Sequence, residues 1–417
     1  MSESGAAPDP ARSTVEETFR AEYGRLVAAL TQRFGDLDVA EDAASEAVLI
    51  ALEKWSRDGV PPNPGAWLLT TAKNRAIDRL RRESQREAKY RQAWLLHDDT
   101  PAEPTGAVAD DQLRLMFICC HPVLSQQAQV ALTLRLLGGL TVSEIARAFF
   151  VTDTTMGQRI TRAKKKIADE QIPFELPQAE DLPARLDGVL AVLFLIFNEG
   201  YLSVSDGPPV RAELSTEAIR LTRLVVSLLP DSYEAKGLLA LMLLTEARRH
   251  ARVADGVVVV LAEQDRKRWD SGLIVEGHAL VRECLAHNTP GRYQILAAIN
   301  AVHTDASSAA DTDWAQIVAL YEQLMHYDPS PIVALNRVVA VAEVRGPAAA
   351  LEIIDSLQIP GHYHAVHVVR AELYRRLGQT AEAHEFYNTA LQYTDNTAQR
   401  AYLARRRDEL GAIGHEP

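Results

Sequence analysis

Basic and short polar side chains recur at helical spacing in two stretches of this chain, residues 67–82 and 153–166. Cations at this spacing can follow a phosphate backbone, and short polar side chains beside them can reach base edges. The second stretch holds five basic residues and one acidic residue. Both stretches therefore predict helices that bind DNA. The alternative is a solvated helix with a basic face for the first stretch and an amphipathic hairpin with a basic face for the second.

The first stretch lies in a basic segment that follows a stiff loop. Residues 71–91 include eight basic and three acidic residues, and residues 56–65 include three prolines and two glycines. A basic helix beside such a loop can hold a single strand, because cations track the backbone while pockets or aromatic rings accept unstacked bases. The residues expected to contact DNA here are Trp67, Lys73, Asn74, Arg75, Arg79, Arg81 and Arg82.

The second stretch belongs to a helix-turn-helix pattern over residues 140–166. Thr141 and Glu144 have the spacing of a capping box, which predicts the start of the first helix. The second helix is predicted to begin near Asp153. Its inward side is expected to consist of Met156, Ile160, Ala163 and Ile167. Its outward residues, which can enter a major groove, are Thr154, Thr155, Gln158, Arg159, Arg162 and Lys165.

An acidic and apolar helix is predicted over residues 38–55, directly before the first basic stretch. Its acids gather at the amino end, where the helix dipole favours negative charge. These acids are Asp38, Glu41, Asp42 and Glu46. They could form a docking surface for a basic partner protein, or they could simply cap an amphipathic surface helix.

The order of these elements resembles the sigma-70 family, in its extracytoplasmic-function group. The segments DVAEDAASEAVLIALEKW and AWLLTTAKNRAIDRLRR are similar to region 2 of that family, and residues 112–167 resemble its region 4. The resemblance implies that the acidic helix docks on the clamp helices of the largest catalytic subunit of RNA polymerase. It also implies that the basic helix recognises and opens the −10 promoter element, and that the helix-turn-helix recognises the −35 element.

The net charge and the composition limit the classes to which this protein can belong. The chain has 417 residues and a net charge of −12, but residues 1–172 hold 22 basic and 24 acidic groups, whereas the remainder holds 22 and 32. The acidity therefore belongs to the C-terminal part, and local basic patches remain for phosphates. Three cysteines, no signal-peptide pattern and no apolar run of about 20 residues favour a cytoplasmic protein without a membrane segment.

Apolar residues recur every three or four positions almost throughout, so we predict an all-α protein with a short strand-like exception at 257–261. The predicted parts are a region 2 helical bundle (14–93), an acidic linker (94–111), a region 4 helix-turn-helix (112–171), a helical regulatory extension (182–290) and tetratricopeptide-like hairpins (291–412). Gly346 and Gly378, 32 residues apart, are each expected to close one helix and open the next. Non-repetitive helical hairpins are the alternative for the last part.

Two stretches of the extension resemble one extracytoplasmic-function subgroup with tetratricopeptide-like C-terminal helices. They contain the candidate regulatory contacts Asn198, Glu199, Tyr201, Asp265, Arg268 and Trp269. The resemblance implies that the extension controls the sigma core in cis and receives a signalling protein or ligand. From the residues alone, 198–201 favours a turn and 263–270 a solvated ion-pair network. The Cys119-Cys120-His121 run lacks the spaced second pair of a zinc site, so we expect no metal and no cofactor.

The sequence thus predicts a sigma factor that directs RNA polymerase core to promoter DNA and catalyses no reaction. The first alternative is a helix-turn-helix regulator with a helical sensor domain that does not bind polymerase core as a sigma subunit. The second is an enzyme hidden in the extension, centred on Glu199 or on residues 263–270.

Overall fold

The computed structural model describes residues 10–84, 107–149, 151–202, 209–254, 257–357, 359, 363–394 and 397–413. This described part contains 18 α-helices and one short antiparallel hairpin, in which Val253 pairs with Val258 and Ala254 with Val257. The all-α prediction is confirmed. Of the strand-like exception predicted at 257–261, Val257 and Val258 form a strand, and Leu261 begins a 3₁₀ turn. Most of the predicted acidic linker lies outside the described residues. The chain forms two compact units, residues 1–196 (unit 1) and 197–417 (unit 2).

Unit 1 begins with a bundle of three helices, α1 (Pro10–Phe34), α2 (Leu37–Asp58) and α3 (Pro64–Ser84). The Asp36 side chain caps α2 by accepting hydrogen bonds from the backbone N–H groups of Asp38 and Val39. Gly59 ends the helix with a φ of 83°, a conformation that favours glycine. The buried face of α2 is rich in alanine, which lets α1 and α3 approach closely.

The rest of unit 1 comprises α4 (Ala107–Cys119), α5 (Gln126–Leu136), α6 (Val142–Ala148), α7 (Asp153–Asp169) and the first part of α8 (Leu182–Leu202). Thr141 and Glu144 form the predicted capping box at the start of α6, and α7 begins at Asp153 as expected. The predicted inner face of α7 is confirmed, because its four members are buried: Met156, Ile160, Ala163 and Ile167. Helices α6 and α7 pack together as a helix-turn-helix.

Helix α1 joins the two halves of unit 1, since it packs on α4 and α5 as well as on α2 and α3. Gly24 makes this approach possible. A Cβ atom at Gly24 would lie 2.9 Å from the carbonyl oxygen of Leu137, a backbone atom that cannot easily move. Tyr23 is buried beside it and packs against Gly139. The bundle and the helix-turn-helix half therefore share one core.

Unit 2 is a succession of helices, each packed on its neighbour. They are α9 (Pro209–Leu228), α10 (Tyr233–Glu246), α11 (Ser271–His287), α12 (Arg292–Asp305), α13 (Trp314–Tyr327), α14 (Pro331–Arg345), α15 (Pro347–Ser356), α16 (His364–Arg376), α17 (Thr380–Gln392) and α18 (Thr397–Ile413). The hairpin β1 (Val253–Ala254) and β2 (Val257–Val258) and short 3₁₀ turns connect α10 to α11.

The predicted helix boundaries at Gly346 and Gly378 are confirmed. Gly346 ends α14 and opens α15 with a φ of 85°, and Gly378 separates α16 from α17 with a φ of 74°. Ala383, Tyr387 and Ala390 of α17 are buried in one core with α16 and α18. The hairpin arrangement agrees with the pattern, and the tetratricopeptide assignment itself stays a prediction.

Candidate nucleic-acid and protein interface

The outer face of α7 presents the residues that the sequence assigned to a major groove. Thr154, Thr155, Gln158, Arg162 and Lys165 are exposed, and Arg159 is half-buried. The Thr152 hydroxyl caps the helix by accepting from the backbone N–H of Thr155. The guanidinium of Arg162 donates to the Oε1 of Gln158 at 3.3 Å. This face can therefore offer both short polar groups and cations to DNA.

Helix α3 presents a second basic face. Asn74, Arg75, Arg81 and Arg82 are exposed, whereas Lys73 is half-buried. Trp67 lies half-buried with its ring 5.4 Å from that of Trp55, edge to face, so it helps to fix α3 on α2. Arg79 forms an ion pair with Asp42 of α2. The sequence placed Arg79 at DNA and Asp42 at the polymerase, and the structure brings the two side chains together.

The four predicted docking acids of α2 lie in different environments. Asp38 is exposed and accepts from the Nζ of Lys164 at 2.7 Å. Glu41 is buried and forms ion pairs with both Arg135 and Lys164. Glu46 is half-buried and forms no ion pair within the described ranges. The acidic surface is thus partly engaged by α5 and α7, and we call the contact among Asp38, Glu41, Arg135 and Lys164 the α2–α7 latch.

The electrostatics of the latch favour its charged form. Burial lowers the pKa of Lys164, but the charge of Glu41 and the hydrogen bonds to Asp38 and Glu41 outweigh it, so that the pKa is raised. For Arg135, burial lowers the pKa, and the neighbouring Tyr23 and Glu41 raise it to a net increase. Both cations are therefore fully charged at neutral pH.

Sequence reasoning missed Lys164 and Arg135 as interface residues. Lys164 is four residues after Ile160 and eight after Met156, so helical spacing already placed it on the inner side of α7. A lysine at such a position predicts a buried partner carboxylate, and here that partner is Glu41. For Arg135 the sequence carried no comparable signal, because its partner is 94 positions away.

A row of exposed side chains on α2 was also missed. Leu49 is 63% exposed although it is apolar, and it follows Asp42 and Glu46 at helical spacing. Glu53 continues the same row one turn later. Leu49 and Glu53 therefore extend the face of α2 that carries Asp42 and Glu46 toward the end of the helix.

The candidate regulatory residues lie at two places in unit 2. Asn198, Glu199 and Tyr201 belong to α8, which continues through the buried Gly200 to Leu202. The turn predicted at 198–201 is therefore wrong, because the apolar run continues its helical pattern through this glycine. Asp265 caps a 3₁₀ turn at Arg266–Arg268, Arg268 is exposed, and Trp269 is buried with the Arg266 guanidinium 4.4 Å from its ring centre.

Cys119 and Cys120 are buried in the core of unit 1, where burial raises the pKa of the Cys120 thiol to about 12. In the parts that the structure describes, no cluster of three or more histidine, cysteine or acidic side chains could hold a metal ion. Nor is any helix of those parts long and apolar enough to cross a bilayer.

Comparison with known proteins agrees with this geometry. Residues 18–86 match Sigma-70 region 2, residues 114–167 match Sigma-70, region 4, and residues 185–285 match a family of unknown function, DUF6596. The uncharacterized protein R00370 of Rhizobium meliloti (strain 1021) is 41% identical over 93% of this chain and 94% of its own length. No solved structure is significantly similar.

Two further relatives are named for their function. The ECF RNA polymerase sigma factor SigK of Mycobacterium ulcerans (strain Agy99) is 34% identical over 31% of this chain and 70% of its own length. SigK of Mycobacterium tuberculosis (strain ATCC 25618 / H37Rv) is 30% identical over 32% of this chain and 72% of its own length.

A region 2 bundle followed by a region 4 helix-turn-helix defines the sigma-70 class of transcription initiation factors. Within that class, this chain belongs to the ECF RNA polymerase sigma factors, and it carries a C-terminal extension. It is a sigma factor that directs RNA polymerase core to specific promoters, and this function is favoured over that of a helix-turn-helix regulator that does not bind core.

Proposed function

We propose that this sigma factor contacts the −10 element through α3, the −35 element through α7 and RNA polymerase core through the acidic face of α2. We also propose that the α2–α7 latch must open before α2 docks fully. The latch is the observation that carries this proposal. In the latch, two cations of the region 4 half contact Asp38 and Glu41, two of the four acids to which the family resemblance assigns polymerase docking.

Glu41 cannot serve the latch and the polymerase at the same time. Its side chain is only 10% exposed, and that of its partner Lys164 is 9% exposed. Breaking a buried ion pair by removal of one partner destabilises a contact by about 3–5 kcal/mol, because the other charge is left without compensation. A basic surface on the polymerase would supply the replacement charge for Glu41 when the latch opens.

The closed latch affects the two functions of unit 1 differently. Thr154, Gln158 and Arg162 point to solvent while Lys164 is turned toward α2. The −35 face of α7 is therefore presented in the closed arrangement, whereas α2 presents only part of its acidic face. Since a partner that binds the open form gains apparent affinity as the open fraction rises, the latch sets the affinity for core.

Two observations support a role of the C-terminal extension in regulating the sigma core. The extension is a separate compact unit that follows the two DNA-binding regions, and residues 185–285 match a family distinct from both sigma regions. We propose that it regulates the sigma core in cis, without catalysing a reaction, in the cytoplasm where polymerase core works.

Run-off transcription with purified polymerase core on a library of genomic fragments tests the docking assignment. The full-length protein should give discrete start sites, and the quadruple change Asp38→Asn, Glu41→Gln, Asp42→Asn, Glu46→Gln should reduce their yield at least tenfold. The matched control neutralises four exposed acids of the same unit: Asp169, Glu170, Glu180 and Asp181. It should leave the start sites unchanged.

Two other results would change the assignment. A quadruple variant with higher yield than the wild type would mean that the acids serve the latch and not the polymerase. Binding to DNA fragments without any new start site would favour the alternative, a regulator that does not bind core as a sigma subunit.

A further inference from the structure

Unit 2 contains three arginines that lie near one another. Arg248 follows α10, Arg252 follows the next 3₁₀ turn, and Arg266 begins the turn before α11. None of the three forms an ion pair with a residue within the described ranges of the chain. Arg249, their neighbour, differs from them because it pairs with Glu246.

Arg248 is the most enclosed of the three. It donates from Nη2 to the Oδ1 of Asn300 at 2.8 Å, while its Nε is buried and has no hydrogen-bond partner among the described residues. Burial and the positive charges of Arg252 and Arg266 together lower its pKa. A buried donor that faces other cations and lacks an acceptor is an unusual feature in a folded protein.

The other two arginines use only part of their hydrogen-bonding capacity. Arg252 donates from Nη1 to the carbonyl oxygen of Tyr201 at 2.6 Å, and its guanidinium lies 4.1 Å from the Tyr201 ring centre. Arg266 donates from Nη1 to the carbonyl oxygens of His303 and Ala306, each at 2.7 Å. Since a guanidinium has five N–H donors, both residues retain donors for a further acceptor.

The arginine cluster brings together the two stretches of the extension that contain the candidate regulatory contacts, residues 198–201 and 263–270. Tyr201 comes from the first stretch, and Arg266 and Trp269 come from the second. The Asn300 side chain accepts from Arg248 and the backbone carbonyl oxygen of His303 accepts from Arg266, so the C-terminal part of α12 holds both arginines. Residues nearly 70 positions apart in the chain are thus gathered around one group of cations.

The three arginines form no ion pair with the described residues, although unit 2 is rich in acidic residues. Residues 173–417 carry 32 acidic and 22 basic groups, so acids are plentiful, yet none pairs with these arginines in the described part of the chain. Burial lowers the pKa of Arg266, and the charge of Asp311 opposes this shift only in part, without forming an ion pair. Asp311 is already held by the hydroxyls of Ser307 and Ser308.

We propose that Arg248, Arg252 and Arg266 form a binding site for the phosphate group of a small anionic ligand. A carboxylate fits one guanidinium in a planar, bidentate pair, whereas three guanidinium groups from different segments suit a tetrahedral dianion with more acceptor oxygens. The phosphate group could come from inorganic phosphate or from a phosphomonoester. This site goes beyond the sigma activity, and its test requires no transcription.

Thermal denaturation of the full-length protein during a titration with sodium phosphate tests the site. We expect a saturable rise in the midpoint of unfolding, absent with sodium chloride or sodium acetate at the same ionic strength. Arg248→Gln and Arg252→Gln should each raise the half-saturating phosphate concentration at least tenfold. Glycerol 2-phosphate, titrated in parallel, distinguishes a phosphomonoester site from one that accepts only the free ion.

Arg223→Gln is the matched control, because Arg223 also lies in unit 2 but is exposed and paired with Glu276. It should respond to phosphate like the wild type. An equal response in the Arg248 and Arg252 variants would overturn the proposal, since phosphate would then bind elsewhere. A rise that does not saturate, or that acetate reproduces, would also overturn it. If Arg248→Gln fails to fold, the half-buried Arg252 gives the same test.

Discussion

At the scale of single residues, burial has opposite consequences for two titratable side chains, Lys164 and His303. Lys164 remains charged in a buried position because Glu41 compensates it. By contrast, burial and the charges of Arg248 and Arg266 lower the pKa of His303 to about 4. One side chain therefore requires a partner charge, and the other is held neutral by its neighbours.

The lowered pKa of His303 predicts acid sensitivity of unit 2. Because the folded-state pKa of about 4 lies below the ordinary value of 6.5, the unfolded chain takes up a proton first as pH falls. The stability from neutral His303 is present above pH 6.5 and is lost toward pH 4, with a loss of about 2 kcal/mol by pH 5. Urea denaturation at pH 7 and pH 5 measures it.

His303→Gln should reduce the difference in unfolding free energy between pH 7 and pH 5 by this amount. His326→Gln, at an exposed site, is the control and should leave the difference unchanged. Tryptophan fluorescence is a suitable signal, because the His303 ring lies 5.2 Å from that of Trp314. Equal pH dependence in the wild type and in His303→Gln would contradict the prediction.

At the scale of helices, the proposed role of the α2–α7 latch depends on the contact of α2 with α5 and α7. Three features maintain it: the ion pairs of Glu41, the burial of Lys164, and the close approach of α1 at Gly24. The outward face of α7 takes no part in it, so the same helix carries the proposed promoter face and the latch face on opposite sides. Changes on each face should therefore have separable effects.

Lys164→Met should open the latch and strengthen binding to polymerase core. The change removes one partner of a buried pair, and the resulting rise in the open fraction should lower the apparent Kd for core about tenfold. Lys165→Met is the matched control: its lysine is exposed on the promoter side of the same helix, so it should weaken DNA binding and leave core binding unchanged.

A second variant keeps this prediction testable if Lys164→Met disturbs α7. Gly24→Ala favours the helical state of α1 but places a Cβ 2.9 Å from the Leu137 carbonyl oxygen, so it should loosen the packing of α1 on the region 4 half and with it the closed arrangement. Gly188→Ala, with its closest contact at 3.9 Å, is the control. Unchanged core affinity in both Lys164→Met and Gly24→Ala would show that the latch does not limit docking.

The whole molecule combines a sigma core with a unit of similar size. The structure also decides where the two can be separated, because α8 begins in unit 1 and does not end until Leu202. Arg185 of α8 donates to the carbonyl oxygen of Phe117 at 2.7 Å, and Gly188 lies beside Cys120. A cut at Asp181 would therefore remove a helix that belongs to the packing of unit 1.

A chain ending at Leu202 should initiate transcription with at least a fivefold change in yield relative to the full-length protein on the same promoter. The reason is that such a chain keeps the contacts of α8 with unit 1 but lacks the proposed regulatory unit. Run-off transcription with polymerase core measures the yield, and circular dichroism checks that the shorter chain is folded. Equal yields would contradict control in cis.

Several helix boundaries and one buried helix face of this protein could be predicted from the sequence alone. The helix starts at Thr141 and Asp153, the inner face of α7 and the breaks at Gly346 and Gly378 follow from local capping, helical periodicity and positive φ angles. These rules act over a few residues, which is why the all-α class and the helix-turn-helix were predictable. The same local pattern failed at Gly200, where α8 continues through a residue that usually ends helices.

Only the tertiary structure decided which distant side chains meet. Glu41 finds Lys164 across 123 positions, and Arg248 finds Asn300 across 52, while Arg266 reaches the end of α12. Periodicity can place a residue inside or outside a helix, but it carries no information on the partner helix. The latch and the arginine cluster depend on those partners, because an ion pair or an uncompensated charge is a property of two or more segments packed together.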